Sequence, residues 1–338
     1  MARAGTLVGA NAVELATVSR GGFIESRHLG AAAVVDANGD PLAQLGDTRT
    51  PIFPRSTLKF MQALAALDAG APLTGEHLAI ACASHAGTPL HIALVRDVLG
   101  RAGLDERALQ CPAAWPDDRA SRDALIRAGE PNAPIYMECS GKHAAFLSAC
   151  RVSGWPIENY LDREHPLQRR IAETIGRFGG ERIDHTSVDG CGAPVHTMPL
   201  LALARSMTRF VTAQESSPFA IFRHAAMIRD AVLAHPSAIA GVGRTDSVLI
   251  ERLGVMAKSG AEGVYVAAAP NGVAVALKYL DGTGRGAPLV ALQLLVATGA
   301  VAATDAESVL SALGLEVHGG GRVVGHVNVG ADVPVRLR

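Results

Sequence analysis

A serine and a lysine that could form a nucleophilic pair stand three residues apart, as Ser56 and Lys59. On a helix, positions i and i+3 share one face, with Cβ atoms roughly 5–6 Å apart. A serine hydroxyl becomes a good nucleophile only when a base takes its proton, and an uncharged lysine amine can be that base. The pKa of a free lysine is about 10.4, and burial or a second cation would lower it. The alternative is a serine that caps a helix beside a solvated lysine.

A second serine and a second lysine could extend this pair. Ser84 follows a short apolar stretch, where its hydroxyl could relay protons or hold a substrate. Lys258 begins a Lys-Ser-Gly segment ahead of a strand-like run. In penicillin-binding proteins and serine β-lactamases, Lys-Thr-Gly follows the Ser-x-x-Lys motif, and the order along this chain is the same. Taken singly, Ser84 is better explained as a satisfied polar residue in a turn, and the alternative for Lys258 is an ordinary surface lysine before a glycine turn.

Two cysteines and a lysine form a third group with possible chemistry. Cys139 and Lys142 occur in a Cys-Ser-Gly-Lys-His segment, and Cys191 lies two residues after Asp189. Thiolates and carboxylates are zinc ligands. The spacing is not that of a zinc finger, and a lysine must lose a proton before it binds a metal. These residues alone leave both a zinc site and buried structural cysteines open.

Strands are predicted near both ends of the chain, on either side of these motifs. Two Asn-Gly pairs, at 38–39 and 271–272, are each flanked by apolar runs, which is the strongest short signal for a β-hairpin. The flanking runs are residues 29–35, 41–45, 264–269 and 273–277, and two last strands are predicted at 323–329 and 333–337.

The middle of the chain is predicted to be helical. Residues 57–69 carry apolar side chains at three-residue spacing, and Gly70 follows where a helix would end. Thr304 and Glu307 form a capping-box pattern ahead of a late helix. The other predicted helices are residues 90–99, 143–150, 167–178, 219–234 and 289–298.

This order of strands, helices and strands predicts an α/β (α+β) fold. Both ends of the chain share one antiparallel sheet, helices cover it, and a helical region is inserted in the middle. The predicted domains are a sheet-containing region of residues 1–55 and 245–338 and a mainly helical region of residues 56–244, packed tightly enough to form one globular unit.

Composition excludes several classes of function. Of the 338 residues, 49% are apolar and 19% charged, which is typical of a globular protein, and the formal net charge is −1. No basic stripe is present, so no nucleic-acid or membrane partner is expected. The five cysteines are an odd number in a large chain, which argues against a disulfide framework. Residues 1–21 carry no signal-peptide pattern, and the expected location is the cytoplasm.

The motifs together resemble the inducible, thermolabile L-asparaginase family in order and approximate spacing. The resemblance covers nearly the whole chain from Gly21 onward. The segments that carry it are Arg55-Ser56-x-x-Lys59, Cys82-Ala83-Ser84-His85, Cys139-Ser140-Gly141-Lys142-His143, Asp189-Gly190-Cys191 and Lys258-Ser259-Gly260, extended by residues 22–28, 241–244 and 278–282.

The resemblance implies an activity and a fold. Members of the family hydrolyse L-asparagine to L-aspartate and ammonia, form homodimers and have a fold similar to serine β-lactamases and penicillin-binding proteins. Their site uses two Ser-Lys pairs, which correspond here to Ser56 with Lys59 and Ser84 with Lys258.

The resemblance also implies a zinc ion beside the site and a set of substrate contacts. The zinc ligands correspond to Cys139, Lys142 and Cys191. Asp189 matches an acidic residue that supports the metal and substrate region. Arg55 and His143 are, with Asp189, the candidate anchors for the substrate's α-amino and α-carboxylate groups.

Two residues depart from the family pattern. Phe60 replaces a proline after the motif lysine, which an early helix position tolerates. Glu138 replaces an asparagine before the cysteine and could alter metal affinity or substrate preference. The alternative function is a penicillin-binding-protein-like serine hydrolase acting on a β-lactam or a D-amino-acid peptide. That alternative leaves the Cys-Ser-Gly-Lys-His segment unexplained.

Overall fold

A computed structural model describes residues 5–337 of the chain. In chain order, the strands are β1 (Val13–Arg20), β2 (Phe23–Val35), β3 (Pro41–Leu45), β4 (Pro51–Ile52), β5 (Thr186–Val188), β6 (Pro194–His196), β7 (Met198–Pro199), β8 (Met256–Ser259), β9 (Val264–Ala268), β10 (Ala274–Tyr279), β11 (Glu316–Gly319) and β12 (Arg322–Val329).

The α-helices of the same residues are α1 (Lys59–Asp68), α2 (Gly75–Ala81), α3 (Pro89–Arg101), α4 (Arg119–Ala128), α5 (Ser140–Ser153), α6 (Pro166–Gly179), α7 (Leu200–Val211), α8 (Ala220–Ala234), α9 (Pro236–Ile239), α10 (Thr245–Leu253), α11 (Ala287–Ala297) and α12 (Ala303–Val309). Among residues 5–337, none of these helices is long and apolar enough to cross a bilayer.

The described residues divide into two compact units. The first runs to Thr57, takes in Thr197–Thr212, and resumes at Val248. The second comprises Leu58–His196 and Ala213–Ser247. The sequence placed the boundaries at residues 55 and 245 and assigned residues 197–212 to the helical region, whereas here they belong with the sheet. Residues 1–4 and 338 of the predicted sheet region lie outside the described residues.

The first unit contains an eight-stranded sheet drawn from both ends of the chain. Its order is β11-β12-β1-β2-β10-β9-β8, with β3 paired to β2, and the pairs are antiparallel. The predicted fold class is thereby confirmed: a mixed α/β chain whose antiparallel sheet joins both ends around a helical insertion.

Both predicted Asn-Gly hairpins are confirmed. β2 pairs with β3, and β9 pairs with β10. Gly39 has φ of +83° and Gly272 has φ of +96°, a backbone conformation that residues with a Cβ rarely adopt. Because the turn needs a positive φ at this position, an Asn-Gly pair between apolar runs is a specific signal for a hairpin.

Helices cover the sheet of the first unit. Residues 31–35 of β2 are completely buried, and nearly all of β9 and β10 is buried as well. Strands buried on both faces need cover on both faces. Helices α7 and α11 each contact β9 and β10, and α7 also contacts β2. The apolar run at residues 289–298 is thus the buried helix that the sequence predicted.

The second unit is helical and has α1 at its centre. Helix α1 contacts α2, α5, α6 and α8, and its residues from Lys59 to Leu67 are all buried. A helix buried on every side is expected to be apolar. The burial of Lys59 at its first position is therefore an exception that requires polar partners.

Two sequence predictions are wrong, and several elements had not been predicted. Residues 333–337 form no strand, because Pro334 lacks the N–H that a ladder needs. Thr304 does not cap α12, which begins at Ala303 after Ala302, so the capping box is wrong. Helices α2 and α9, with seven and four residues, are too short to show the apolar periodicity on which the other predictions depended. Helix α7 does carry that spacing, at Leu200, Leu203, Met207 and Phe210, and had not been predicted.

Replacement of Gly141 by alanine should destabilise the protein. A Cβ at Gly141 in α5 would overlap the carbonyl oxygen of Ile80 at the end of α2. Alanine is favoured over glycine in a helix by at most about 1 kcal/mol, whereas forcing atoms into a packed core costs about 1–3 kcal/mol. We expect the second effect to prevail and to lower the urea midpoint of unfolding.

Gly176→Ala in α6 is the matched control. A Cβ there would approach the Glu181 carbonyl oxygen at 3.5 Å, an ordinary contact, and should raise stability slightly. An equal gain from both substitutions would show that the α2–α5 contact tolerates a side chain.

Candidate active site

Ser56 lies in a strained turn of the first unit. The 3-10 turn Arg55–Leu58 leads directly into α1, and Arg55 has φ of +55°, which non-glycine residues rarely adopt. Thr57 Oγ1 donates to the Pro54 carbonyl oxygen at 2.9 Å and fixes the turn. Strained backbone of this kind clusters at functional sites, which makes Ser56 a functional candidate on geometric grounds.

The Lys-Ser-Gly segment packs against that turn within the first unit. A Cβ on Gly260 would lie 2.9 Å from the Pro54 carbonyl oxygen and 3.1 Å from Thr57 Cγ2, so a glycine permits this close approach. Lys258, on β8, is completely buried, and its Nζ donates to the Ser259 carbonyl oxygen at 2.9 Å. The first unit therefore brings the segments of Ser56 and Lys258 together.

Arg55 contributes an ion pair to the same region. Its Nη1 lies 4.0 Å from Glu262 Oε1. Glu262, like Arg55, is a non-glycine residue with a positive φ, here +59°. The contact links the turn of Ser56 to the loop that follows Lys-Ser-Gly, and it leaves the Arg55 guanidinium partly exposed.

Lys59 is one of two buried lysines of the second unit, and its amine has three acceptors. Its Nζ lies 2.5 Å from the Ala83 carbonyl oxygen, 3.0 Å from Ser84 Oγ and 3.3 Å from the Glu138 carbonyl oxygen. An ammonium group can donate to all three at once, whereas an uncharged amine has two donors and one lone pair. Since Ser84 Oγ can both accept and donate, a proton can pass between Lys59 and Ser84.

His85 holds the Ser84 segment against the start of α5. The Gly87 N–H donates to His85 Nδ1 at 3.2 Å, and Ser140 Oγ donates to the Ile135 carbonyl oxygen at 2.8 Å. The His85 proton is therefore assigned to Nε2, which donates to Ser140 Oγ at 2.9 Å. Burial lowers the pKa of His85 well below its ordinary value. This histidine is neutral and structural.

Cys139, Lys142 and Cys191 converge in the second unit. Lys142 Nζ donates to Cys191 Sγ at 3.0 Å, and both residues are buried. A hydrogen bond from the Cys139 thiol, reinforced by Lys142, holds the pKa of Cys191 well below its ordinary value and raises that of Cys139. Burial lowers the pKa of Lys142, but the charges of Cys191 and Cys139 outweigh it and leave the pKa raised. The three groups form a thiol, a thiolate and an ammonium.

This trio fits a zinc ion in its chemistry. Two sulfur atoms and a nitrogen are donors that zinc accepts. Residues 5–337 contain no group of three His, Cys, Asp or Glu side chains that could bind a metal. A site with three protein ligands would therefore need the Lys142 amine as its third ligand. The thiol and the ammonium would both have to lose their protons on binding.

His143 is buried beside the trio and has one free ring nitrogen. The Gln110 N–H donates to Tyr160 Oη at 3.0 Å, and Tyr160 Oη lies 2.7 Å from His143 Nδ1. If Tyr160 donates to Nδ1, the proton of His143 is on Nε2, which has no partner among the described residues. Burial lowers the pKa of His143 to about 3. His143 is thus a neutral, unsatisfied donor.

Asp189 lies in the turn between β5 and β6. Its Oδ1 accepts the Gly190 N–H at 2.8 Å. Its charge raises the pKa of Lys142 and opposes the lowering of the pKa of His143, so it is near enough to interact electrostatically with both. The second unit therefore brings together Lys59, Ser84, Cys139, Lys142, His143, Asp189 and Cys191, all of them sequence candidates.

A cavity next to Ser84, called the Ser84 cavity below, contains residues that sequence reasoning missed. Its volume is about 450 Å³. It is lined by Ser84, His85, Trp115, Pro116, Asp117, Arg122 and Glu138. A tryptophan beside a proline in a loop was the available signal, but nothing in the sequence linked that loop to Ser84. Another cavity, of about 470 Å³, is lined by residues such as Asp68 and Arg170 and contains no candidate residue.

Comparison with known proteins identifies the family. A solved β-lactamase structure from Mycobacterium bovis is similar to this chain with a TM-score of 0.42 and 16% sequence identity, over 83% of this chain and 94% of the β-lactamase. None of the curated proteins compared with the chain matches it. The family model described as L-asparaginase II matches residues 16–329. The chain therefore belongs to the L-asparaginase II family.

Proposed function

We propose that this protein hydrolyses L-asparagine to L-aspartate and ammonia, with Ser56 as nucleophile and Lys59 as its base. The observation that carries the proposal is the buried amine of Lys59. It begins the helix that directly follows the strained turn of Ser56, and it is hydrogen-bonded to a second serine. Family membership supports amide hydrolysis.

The proposed reaction has two halves. Ser56 Oγ attacks the side-chain amide carbon while Lys59 takes the hydroxyl proton, and that proton then passes to the departing nitrogen as ammonia leaves. Water attacks the resulting ester in the second half, and the same amine removes its proton. The release of aspartate restores the Ser56 hydroxyl.

Ser84 and Lys258 form the proposed second pair. The hydrogen bond of 3.0 Å between Lys59 and Ser84 supports a proton relay through Ser84. The packing of the Lys258 segment against the turn of Ser56 supports a role for Lys258 near the nucleophile. Arg55, His143 and Asp189 remain the proposed anchors of the substrate, and the free Nε2 of His143 supports such a contact.

A zinc ion held by Cys139, Lys142 and Cys191 belongs to the same proposal. When bound, it would supply positive charge that helps to orient the substrate, since Ser56 already provides the nucleophile. The homodimer is proposed from the family resemblance alone, and the cytoplasmic location remains an expectation.

Ser56→Ala should abolish most of the activity without unfolding the protein. Loss of a nucleophile of this kind lowers kcat by about 1,000-fold or more, and the assay is release of ammonia from L-asparagine. Ser216→Ala, at an exposed loop serine, is the control and should retain full activity. Near-normal ammonia release by Ser56→Ala would disprove the assignment. Turnover of a β-lactam with no activity on asparagine would instead indicate a penicillin-binding-protein-like hydrolase.

The activity should rise toward alkaline pH. An amine accepts a proton only when it is uncharged, so the competent fraction of the enzyme grows as the lysine amine loses its proton. The measurement is kcat/KM against pH, with circular dichroism over the same range to exclude unfolding. A maximum at about pH 5 would contradict a lysine base.

Removal of the metal should weaken substrate binding or stability and leave turnover. After treatment with a chelator we expect a lower melting temperature, because a ligand that binds only the native state stabilises it. Metal content should fall in Cys191→Ser but persist in Cys150→Ser, which changes a buried cysteine with no part in the trio. Complete, zinc-reversible loss of kcat at saturating asparagine would favour a metallohydrolase mechanism instead.

A further inference from the structure

The charges on the wall of the Ser84 cavity are unequally neutralised. Asp117 Oδ2 accepts from Arg244 Nη1 at 2.7 Å, so this carboxylate has a cationic partner. Arg122 Nε lies 3.9 Å from Asp123 Oδ1, so this guanidinium also has a partner of opposite charge. The exposed Glu138 carboxylate forms no hydrogen bond or ion pair with another residue between 5 and 337. The wall therefore presents one negative charge without a partner.

The backbone of Glu138 is held by the predicted catalytic lysine. Its carbonyl oxygen accepts from Lys59 Nζ at 3.3 Å and from the His85 N–H at 3.2 Å. Cys139 and α5 follow at once. These two hydrogen bonds fix the main chain of Glu138. Its side chain therefore extends from a well-defined position beside Ser84, unlike that of a glutamate on a mobile surface loop.

A carboxylate without a partner that lines a cavity together with Ser84, the proposed relay serine, is suited to a cationic substrate group. L-Asparagine carries such a group, its α-ammonium, a few bonds from the amide. The other candidate carboxylate, Asp189, already interacts electrostatically with the buried Lys142. Hydrogen bonds between charged groups are stronger than those between neutral ones, so the unpaired carboxylate gains more from an ammonium partner.

We propose that Glu138 is a specificity-determining residue whose carboxylate binds the α-ammonium group of the amino-acid substrate in the Ser84 cavity. The proposal rests on the proposed function and narrows its substrate class to amides that carry an ammonium group near the scissile carbon. It adds one substrate contact to those expected from Arg55, His143 and Asp189. It also predicts that the Ser84 cavity binds a primary ammonium group.

The test compares two amides that differ only in the ammonium group. L-Asparagine has it, and succinamate is the same molecule without it. Glu138→Gln keeps the size of the side chain and removes its charge. We expect the preference for asparagine over succinamate, measured as the ratio of kcat/KM values, to fall by about 10- to 100-fold, mainly through KM for asparagine.

Glu130→Gln is the matched control. Glu130 is an exposed glutamate outside the cavity, and the preference should be unchanged in this variant. An equal loss of activity toward both amides in Glu138→Gln, or an unchanged ratio, would overturn the proposal while leaving asparagine hydrolysis intact.

Binding separates this proposal from the proposed function. If the wild-type protein releases no ammonia from either amide, the proposed function fails, and calorimetric titration with L-asparagine and succinamate then decides the role of Glu138. Tighter binding of asparagine in the wild type, lost in Glu138→Gln and kept in Glu130→Gln, supports the contact. Equal binding of both compounds by the wild type overturns it.

Discussion

The packing of the second unit around α1 depends on satisfying one buried amine, that of Lys59. A lysine amine removed from water costs several kcal/mol unless polar groups replace its hydration. Its acceptors come from the end of the α2 segment, through Ala83 and Ser84, and from Glu138 just before α5. These segments must therefore meet at the start of α1. Gly141 permits the close approach of α5 to α2, and neutral His85 ties the two segments together.

The two buried lysines of this unit are satisfied in different ways. Lys142 faces the thiolate of Cys191, whose pKa is lowered by the Cys139 thiol and by Lys142 itself. Among residues 5–337, the hydrogen-bond acceptors of Lys59 are neutral, and one of them is a hydroxyl with which it can exchange a proton. This difference matches the proposed division of roles, in which Lys59 moves protons and Lys142 helps to hold a metal.

Local patterns in the sequence predicted much of this molecule, and long-range contacts could not be predicted. The Asn-Gly turns specify their hairpins because they need a positive φ, and the apolar spacing of residues 57–69 specifies α1. The partners of Lys59 lie 24 to 79 residues further along the chain, so nothing local identifies them. The residues Trp115 and Arg122 on the wall of the Ser84 cavity escaped prediction for the same reason. Pro334 shows the opposite error, in which an apolar run suggested a strand that a missing N–H forbids.

The central claim is that a serine ester forms on Ser56. Acid quenching of the protein during turnover of L-asparagine, followed by mass spectrometry of its peptides, tests this claim directly. The account predicts an added aspartyl group on the peptide that contains Ser56. The same adduct on the peptide of Ser84, the serine that Lys59 contacts, would contradict the account and make Ser84 the nucleophile.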